Sequence, residues 1–292
     1  MNLSLNKNLK IAIQKDGRLS EDSINLLISA GLDFDNYKQK LFTTCRNLPI
    51  EIIYLRDDDI PECVDSGVVD LGIVGKNVLY ENEVEVKELL DLGFGFCSLC
   101  IAVPKESTIQ KIEDFKNLRI ATTFPLSTKK FFEEKKIPVE IIKINGSVEI
   151  SPSLGISDAI VDIVSTGSSL AMNDLRKVEK IYDTEAVLIA NKFLDKSFFK
   201  KDLVNKLIMR LNGVLDVNHY KYVMMNAPKK SLEKIKKVVP GLKSPTIASL
   251  ASKDWISIQT VIREDIFWET VEKLKELGAT GILVLPIEKL IA

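Results

Sequence analysis

Several features that mark common classes of protein are scarce in this 292-residue chain. It has one histidine and four cysteines, and its 40 Lys and Arg residues are balanced by 41 Asp and Glu residues. Four cysteines in a chain of this length do not form a disulfide framework, and balanced charge creates no overall field that recruits nucleic acid or membranes. No uncharged apolar run reaches the ~18 residues of a membrane span, and the amino terminus lacks the apolar region of an export signal. We therefore expect a cytoplasmic protein that binds neither nucleic acid nor membranes.

The sequence also argues against three familiar kinds of site: a hydrolase triad, a zinc site and a Walker A phosphate loop. With His219 alone and no Gly-x-Ser-x-Gly motif, a Ser-His-Asp hydrolase has little support. Cys97-Ser-Leu-Cys100 lies inside an apolar, strand-like run, whereas zinc needs four well-spaced ligands. Gly72-x-x-Gly75-Lys76 lacks the glycine spacing and the hydroxyl residue of a Walker A motif.

The most informative stretch is an apolar strand that ends in a loop of small residues. Ile160 to Val164 is interrupted by Asp162 and stops at Ser165-Thr-Gly-Ser-Ser169. Such a loop can turn backbone N–H groups and hydroxyls towards one anion, and Gly167 allows close approach. Asp158 and Asp162, upstream of the loop, suit the hydroxyls of a sugar that carries the phosphate. The alternative is a buried strand followed by an ordinary turn.

Two positively charged residues follow the first predicted strand. A strand at 9–14 precedes a loop with Lys15 and Arg18, and Ser20 is expected to cap the next helix. These cations lie at the carboxyl end of the strand, where open α/β sheets bind ligands. A second strand, at 49–55, precedes Arg56 and the acids 57–59, which favour a helix start over an Mg²⁺ cluster.

An internal similarity predicts two related lobes with a cleft between them. Asp70-Leu-Gly-Ile-Val-Gly75 and Asp162-Ile-Val-Ser-Thr-Gly167, 92 positions apart, share an acid, an apolar strand and a glycine. We expect lobe I to comprise 1–98 with 187–219, and lobe II to comprise 99–186. Residues 220–292 follow the order βαββαβ, the ferredoxin-like pattern, and hold no cluster of catalytic groups. This third domain is expected to be regulatory or oligomerising.

Several motifs together resemble one family. The segments are Gln14-Lys-Asp-Gly-Arg-Leu-Ser20, Arg56-Asp-Asp-Asp-Ile-Pro61, Val69-Asp-Leu-Gly-Ile-Val-Gly75, Asn145-Gly-Ser-Val-Glu149, Gly155-Ile-Ser-Asp-Ala-Ile-Val-Asp-Ile-Val-Ser-Thr-Gly167 and Tyr222-Val-Met-Met-Asn-Ala-Pro228. Over nearly the whole chain they are similar to ATP phosphoribosyltransferase of the long, hexameric form, the first enzyme of histidine biosynthesis. The resemblance implies an α/β fold with a two-lobed, periplasmic-binding-protein-like (type II) catalytic part and a carboxyl-terminal ACT-like domain.

The resemblance also implies a reaction. ATP and 5-phosphoribosyl 1-pyrophosphate (PRPP) give N1-(5-phosphoribosyl)-ATP and diphosphate with Mg²⁺, as adenine N1 attacks the anomeric carbon. The nucleophile belongs to the substrate, so the protein supplies placement and charge stabilisation. The implied PRPP-binding residues are Ser165, Thr166, Gly167, Ser168, Ser169, Lys15 and Arg56; the implied ATP-binding residues are Arg18, Asp70, Leu71 and Glu149; and Asp158, Asp162, Arg18 and Glu149 are the implied catalytic set.

By the same resemblance, histidine inhibits at the ACT-like domain, and AMP shares the ATP site. The matching positions are Asn226, Leu242, Ser244, Thr246, Val261 and Gly281. Asn226 stands where the family more often has an acid or another polar group. Homo-oligomers, dimers or hexamers, are expected. The competing hypotheses are a two-lobed small-molecule sensor and a regulatory subunit without catalysis.

Overall fold

The computed structural model describes residues 8–35 and 40–291. The chain divides into two compact units, Met1–Val204 and Asn205–Ala292. The strands are β1 Leu9–Gln14, β2 Phe42–Thr44, β3 Ile50–Leu55, β4 Leu71–Gly75, β5 Lys87–Asp91, β6 Cys97–Pro104, β7 Arg119–Thr122, β8 Glu140–Lys143, β9 Ala159–Val164, β10 Leu175–Thr184, β11 Ala186–Ala190, β12 Tyr220–Pro228, β13 Thr246–Ser249, β14 Trp255–Arg263 and β15 Thr280–Pro286. The α-helices are α1 Ser20–Ser29, α2 Asp59–Asp65, α3 Lys76–Glu81, α4 Pro125–Lys135, α5 Ser168–Met172, α6 Phe198–Leu215, α7 Leu232–Val238 and α8 Phe267–Glu276.

The first unit contains two sheets, which define two lobes. The sheet of lobe I has the order β2-β3-β1-β4-β11-β5, and that of lobe II has the order β10-β6-β9-β7-β8. In lobe I, β1 is parallel to β3 and β4, and β11 is antiparallel to β4 and β5. In lobe II, β7 is parallel to β8 and β9, and β6 is antiparallel to β9 and β10. The two lobes therefore share one topology, with β1, β3, β4, β11 and β5 equivalent to β7, β8, β9, β6 and β10.

An acid before the third parallel strand of each lobe shows how closely the lobes correspond. Asp70 N donates to Lys10 O, and Lys10 N donates back to Asp70 Oδ2 at 2.9 Å. Asp158 N donates to Arg119 O, and Arg119 N donates to Asp158 Oδ2, also at 2.9 Å. Asp70 thus corresponds to Asp158, an offset of 88 positions. Pairing Asp70 with Asp162 from sequence was wrong by four residues, because the strand of lobe II carries an acid of its own.

The chain crosses between the lobes at two places. The first crossing lies between β5 and β6, and the second lies at Glu185, between β10 and β11. The strand-like run at 180–190 is divided between two sheets, since β10 belongs to the sheet of lobe II and β11 to that of lobe I. An uninterrupted run of strand-forming residues did not reveal the change of sheet at Glu185.

The cores lie where the parallel strands are covered on both faces. Every residue of β4 and β11 is buried, as expected for central strands of an α/β sheet. In lobe I, α2 packs against β4 through Ile60 and Val64. In lobe II, Phe115 and Phe132 lie against β6, β7 and β9, with their ring centroids 5.9 Å apart.

The second unit has a four-stranded antiparallel sheet of order β13-β14-β12-β15. Val223, Met225, Ile256 and Ile258 are buried with Phe267 and Leu274 of α8 and Ile235 of α7, so both helices cover one face. This is the sheet order that βαββαβ takes in the ferredoxin-like fold.

The predicted fold class, a two-lobed periplasmic-binding-protein-like part followed by a ferredoxin-like domain, is confirmed. The exact domain boundaries stay a prediction. Ser20 does not cap α1 with its side chain: it is the first helical residue, and its hydroxyl donates to Lys15 O at 2.9 Å. In residues 8–35 and 40–291, no helix is long and apolar enough to cross a membrane.

Candidate active site

A cavity of about 180 Å³ lies at the carboxyl ends of β9 and β1, where the two lobes face each other. Lobe II supplies Glu149, Asp162 and residues 163–170, and lobe I supplies Arg18. Since one water occupies ~30 Å³, the cavity holds roughly six water volumes. It is large enough for a phosphate group and part of a sugar.

The loop Ser165–Ser169 forms one wall of the cavity. Gly167 has φ of +80°, and a Cβ placed there would meet no atom within 4 Å. This backbone conformation strains other residues, and the space in front of it is open to a ligand. Thr166 Oγ1 and Ser168 Oγ lie 3.0 Å apart, and Ser168 N is 3.5 Å from Thr166 Oγ1. The loop thus presents clustered hydroxyls, as the sequence predicted.

Asp162 is the titratable group most affected by the cavity. The pKa of its carboxyl is raised to about 6, chiefly by burial; a hydrogen bond from Ile163 N opposes the rise, and the negative charge of Glu149 adds to it. That bond measures 2.8 Å. The carboxyl is therefore mostly ionised at pH 7, and close enough to its pKa to change state with a bound ligand.

On the side of lobe I, a second shifted carboxyl lies beside Arg18. Burial raises the pKa of Asp57 to about 6, the charge of Asp58 adds to this rise, and Arg18 opposes it. Asp57 Oδ1 is buried without a hydrogen-bond partner. The sequence attributed Asp57 to the start of a helix, yet the α2 cap residue, Asp58, makes no side-chain capping bond. The position of Asp57 two residues after the end of β3, at the same sheet edge as Lys15, was the available signal.

Lys15 and Arg56 lie at this edge as well. They follow β1 and β3, which run parallel from Leu9↔Ile50 to Gln14↔Leu55, and Lys15 N donates to Leu55 O at 2.8 Å. Arg56 is exposed. The structure therefore brings three cations of lobe I to the cleft side of its sheet, as the sequence predicted.

Asp158 is not near the loop. It precedes β9, so the whole strand separates it from Ser165. Arg119 binds its carboxylate through Nε at 3.3 Å and Nη2 at 3.0 Å, and this lowers the pKa of Asp158. The expectation that Asp158 holds the ribose is not supported, because an acid before a parallel strand lies at the opposite edge from a loop that follows it.

Asp70 and Leu71 also lie at the amino end of a strand, away from the cavity. They lie at the amino end of β4, and Lys200 Nζ contacts both carboxylate oxygens of Asp70 at 2.9 and 2.7 Å. Leu71 is 0% exposed. Asp70 therefore forms a buried ion pair that anchors α6, and Leu71 has no surface for a nucleotide.

Two other polar residues at strand ends are held by contacts within the fold. Thr122 is buried, and its Oγ1 accepts a hydrogen bond from Phe124 N at 2.8 Å. Lys76, which follows β4, is paired with Asp91 at 2.6 Å and Glu185 at 3.6 Å. Within residues 8–35 and 40–291, no three His, Cys, Asp or Glu side chains are grouped so as to hold a metal ion.

The residues matched to a histidine site all lie in the second unit. Asn226, Thr246 and Val261 point to the sheet face opposite the helices, as judged from the pairs Tyr222↔Val261 and Thr246↔Gln259. A Cβ at Gly281 would lie 3.6 Å from Asn226 Nδ2, so these two positions are adjacent. Leu242 and Ser244 lie in the loop between α7 and β13. Tyr222 Oη donates to Gln259 Oε1 at 2.7 Å on the same face, a contact that the sequence did not suggest.

Known proteins resemble the chain over both units. Residues 56–213 match the sequence model of the family described as ATP phosphoribosyltransferase, and residues 218–289 match that of its C-terminal domain. The ATP phosphoribosyltransferases of Parabacteroides distasonis and Bacteroides thetaiotaomicron are each 46% identical over 97% of this chain and 99% of their own. A solved ATP phosphoribosyl transferase (HisG:HisZ) complex from Thermotoga maritima matches 70% of this chain and 98% of its own at 30% identity, with a TM-score of 0.60. The chain belongs to the ATP phosphoribosyltransferase family, in the form that carries a carboxyl-terminal domain.

Proposed function

We propose that the cavity binds the ribose 5-phosphate portion of PRPP and that the chain transfers this phosphoribosyl group to N1 of ATP. One observation carries the proposal: the Ser165–Ser169 loop, the Asp162 and Glu149 carboxyls and Arg18 converge on one small cavity. A phosphate fits against the loop through backbone N–H groups and the hydroxyls of Thr166 and Ser168. The volume is sufficient for the sugar phosphate, and the pyrophosphate and ATP extend into the cleft between the lobes.

The charges around the cavity suit the transition state of such a transfer. As the bond to pyrophosphate breaks, positive charge develops on the ribose and negative charge on the leaving group. Asp162, ionised at pH 7, lies on the sugar side, where a carboxylate stabilises the cationic ring and accepts hydrogen bonds from its hydroxyls. Lys15, Arg18 and Arg56, on the facing lobe, bind the leaving pyrophosphate or the ATP triphosphate.

Catalysis of this kind depends on placement. Adenine N1 donates the electron pair that forms the new N–C bond, and the pair of the broken C–O bond leaves with pyrophosphate. The protein holds both polyanions so that N1 faces the anomeric carbon, and Glu149 lies where it can orient the adenine or ribose. Asp158, Asp70 and Leu71 take structural roles in this assignment.

The donor set is compatible with Mg²⁺ bound mainly through substrate. Mg²⁺ prefers oxygen ligands and often uses one or two carboxylates together with substrate phosphates. Asp162 and Glu149 supply such oxygens at the cavity, and Mg²⁺ would neutralise charge on the pyrophosphate. Regulation completes the proposal: histidine binds the face of the second unit that carries Asn226, AMP competes for the ATP site, and the cytoplasmic enzyme works as a homo-oligomer.

Pyrophosphate release from ATP and PRPP tests the proposal. With Mg²⁺ we expect release that requires both substrates, and histidine is expected to inhibit it. Binding of either compound without release would support a two-lobed sensor and contradict the transferase. Release that does not respond to histidine would contradict only the regulatory part.

A further inference from the structure

Lobe I caps a helix of lobe II. Glu81, the last residue of α3, accepts hydrogen bonds from the backbone N–H groups of Leu126 at 2.7 Å and Ser127 at 3.0 Å. These groups lie in the first turn of α4, where backbone donors have no partner within the helix. The cap residue of α4, Phe124, makes no side-chain capping bond. A carboxylate from the other lobe therefore provides the cap, with charge of the favourable sign for a helix amino terminus.

Further contacts link both helices to β10. The rings of Tyr80 in α3 and Tyr182 in β10 meet edge to face, with centroids 5.1 Å apart and planes at 85°. Tyr182 Oη lies 3.1 Å from Ser127 Oγ, beside the Glu81 contact. Asn77 N, at the other end of α3, donates to Thr184 Oγ1 at 3.0 Å. Helix α3 is thus bound to α4 and to the second crossing between the lobes.

The shared topology gives this junction a place in the cleft. The cavity joins the loop after β1 to the loop after β9. Because β1 is equivalent to β7 and β4 to β9, the equivalent junction joins the loop after β7 to the loop after β4, which begin α4 and α3. A cavity of about 720 Å³ lies beside this second junction, lined by Tyr80, Leu126, Ser127 and Tyr182 among others. The Glu81 contact therefore bridges the two lobes next to open space.

We propose that Glu81 is a positioning residue for phosphoribosyl transfer. It caps α4 and thereby holds the two lobes at the separation at which Arg18 and the Ser165–Ser169 loop reach the same substrate. This inference rests on the proposed assignment of the cavity to PRPP. Glu81 contacts no substrate. It acts on the fraction of molecules in which both walls of the cavity at Arg18 and the Ser165–Ser169 loop are in place.

Substitution of Glu81 is expected to separate KM from kcat. When the binding-competent arrangement is only partly populated, the apparent affinity falls by that fraction, while a molecule that has closed on its substrates reacts normally. For Glu81→Ala we expect the KM for PRPP to rise about 10-fold, or about 1.4 kcal/mol, with kcat within about 2-fold. Glu81→Gln retains an acceptor oxygen and should recover most of the affinity.

The matched control is Glu83→Ala, which removes the same side chain from an exposed position two residues away and should leave both constants unchanged. Hydrogen exchange supplies a second measurement: in Glu81→Ala the amides of Leu126 and Ser127 should exchange faster, and PRPP should restore their protection. Should Glu81→Ala fail to fold, Tyr182→Phe removes only the hydroxyl beside Ser127 and should raise the KM about 2-fold to 3-fold.

Different results would contradict the proposed function and the positioning role of Glu81. If the wild-type chain releases no pyrophosphate from ATP and PRPP, the proposed function is wrong. If the wild type is active and a folded Glu81→Ala variant keeps its KM, or loses kcat at unchanged KM, the positioning role is wrong.

Discussion

Replacing Asp162 with asparagine should make the protein more stable and less active at once. Its pKa lies at about 6 against an ordinary value of 3.8, chiefly because burial disfavours the charge. This shift corresponds to about 3 kcal/mol by which the ionised group destabilises the folded state at neutral pH. Asparagine has no charge to bury, and its side-chain oxygen can still accept the hydrogen bond from Ile163 N.

The stability difference should depend on pH in one direction. A carboxyl whose pKa is higher in the folded protein stabilises it fully below 3.8, and this contribution is lost as pH rises through about 6. Asp162→Asn does not titrate, so its advantage over wild type should grow from about 1.5 kcal/mol at pH 5 to about 3 kcal/mol at pH 8. Urea unfolding at a series of pH values measures this difference.

Activity should change in the opposite sense. Wild-type kcat/KM for PRPP should fall about tenfold per pH unit below pH 6 as Asp162 is protonated, and Asp162→Asn should show no such limb. At pH 8 the variant should be about 100-fold slower, the loss typical of one electrostatic contact to a transition state. Pyrophosphate release from pH 5 to pH 8 gives both profiles.

Two results would refute the reasoning. A stability difference that does not change with pH would mean that Asp162 titrates normally in the folded protein. If Asp162→Asn has the same kcat/KM as the wild type, Asp162 takes no part in the reaction. Asp174→Asn is a suitable control, since the Asp174 side chain is 87% exposed in the same lobe and its substitution should change neither quantity.

Three other substitutions test separate parts of the structure. Gly167→Val should abolish PRPP binding by filling the phosphate position, whereas Gly155→Val, at φ of +70° with equally open surroundings, imposes the same backbone strain and should reduce stability only; equal PRPP affinity in both, by calorimetry, would remove the loop from the site. Asp70→Asn should destabilise the fold by about 2 kcal/mol, because Lys200 loses its buried partner, and the KM for ATP should not change; a raised KM would return Asp70 to the nucleotide. Asn226→Asp should lower the histidine inhibition constant about 10-fold by adding a charge partner for an α-amino group, and an unchanged constant would place histidine elsewhere.

Local sequence patterns predicted most of the helices and strands, and they placed a loop of small residues after β9. The loop at Ser165 and the cations after β1 could be located without structure because each follows an apolar strand, and phosphate binding by the loop stays a prediction. It was harder to predict at which end of a strand a given residue lies. Asp158 and Asp162 are four residues apart in one motif, yet one binds Arg119 at the amino edge and the other lines the cavity.

Contacts between lobes could not be predicted at all. The bonds from Leu126 and Ser127 to Glu81 span about 45 residues, and no pattern near Glu81 distinguishes it from Glu83. The raised pKa of Asp57 likewise depends on its burial, and Arg18, whose charge opposes the rise, lies 39 residues earlier in the chain. Such contacts arise from tertiary packing, so the local propensities of the residues do not reveal them.

The position of β11 has a consequence for the order in which the chain folds during synthesis. This strand lies between β4 and β5, so the sheet of lobe I cannot close until Ala190 has left the ribosome, about 115 residues after Gly75. At ~5–20 residues per second this delay is on the order of ten seconds, during which β4 has an unpaired edge. All five strands of lobe II lie between Cys97 and Thr184, so this lobe can fold completely before the sheet of lobe I does. Strand β11 directly follows lobe II in the chain and can then pair with β4 and β5.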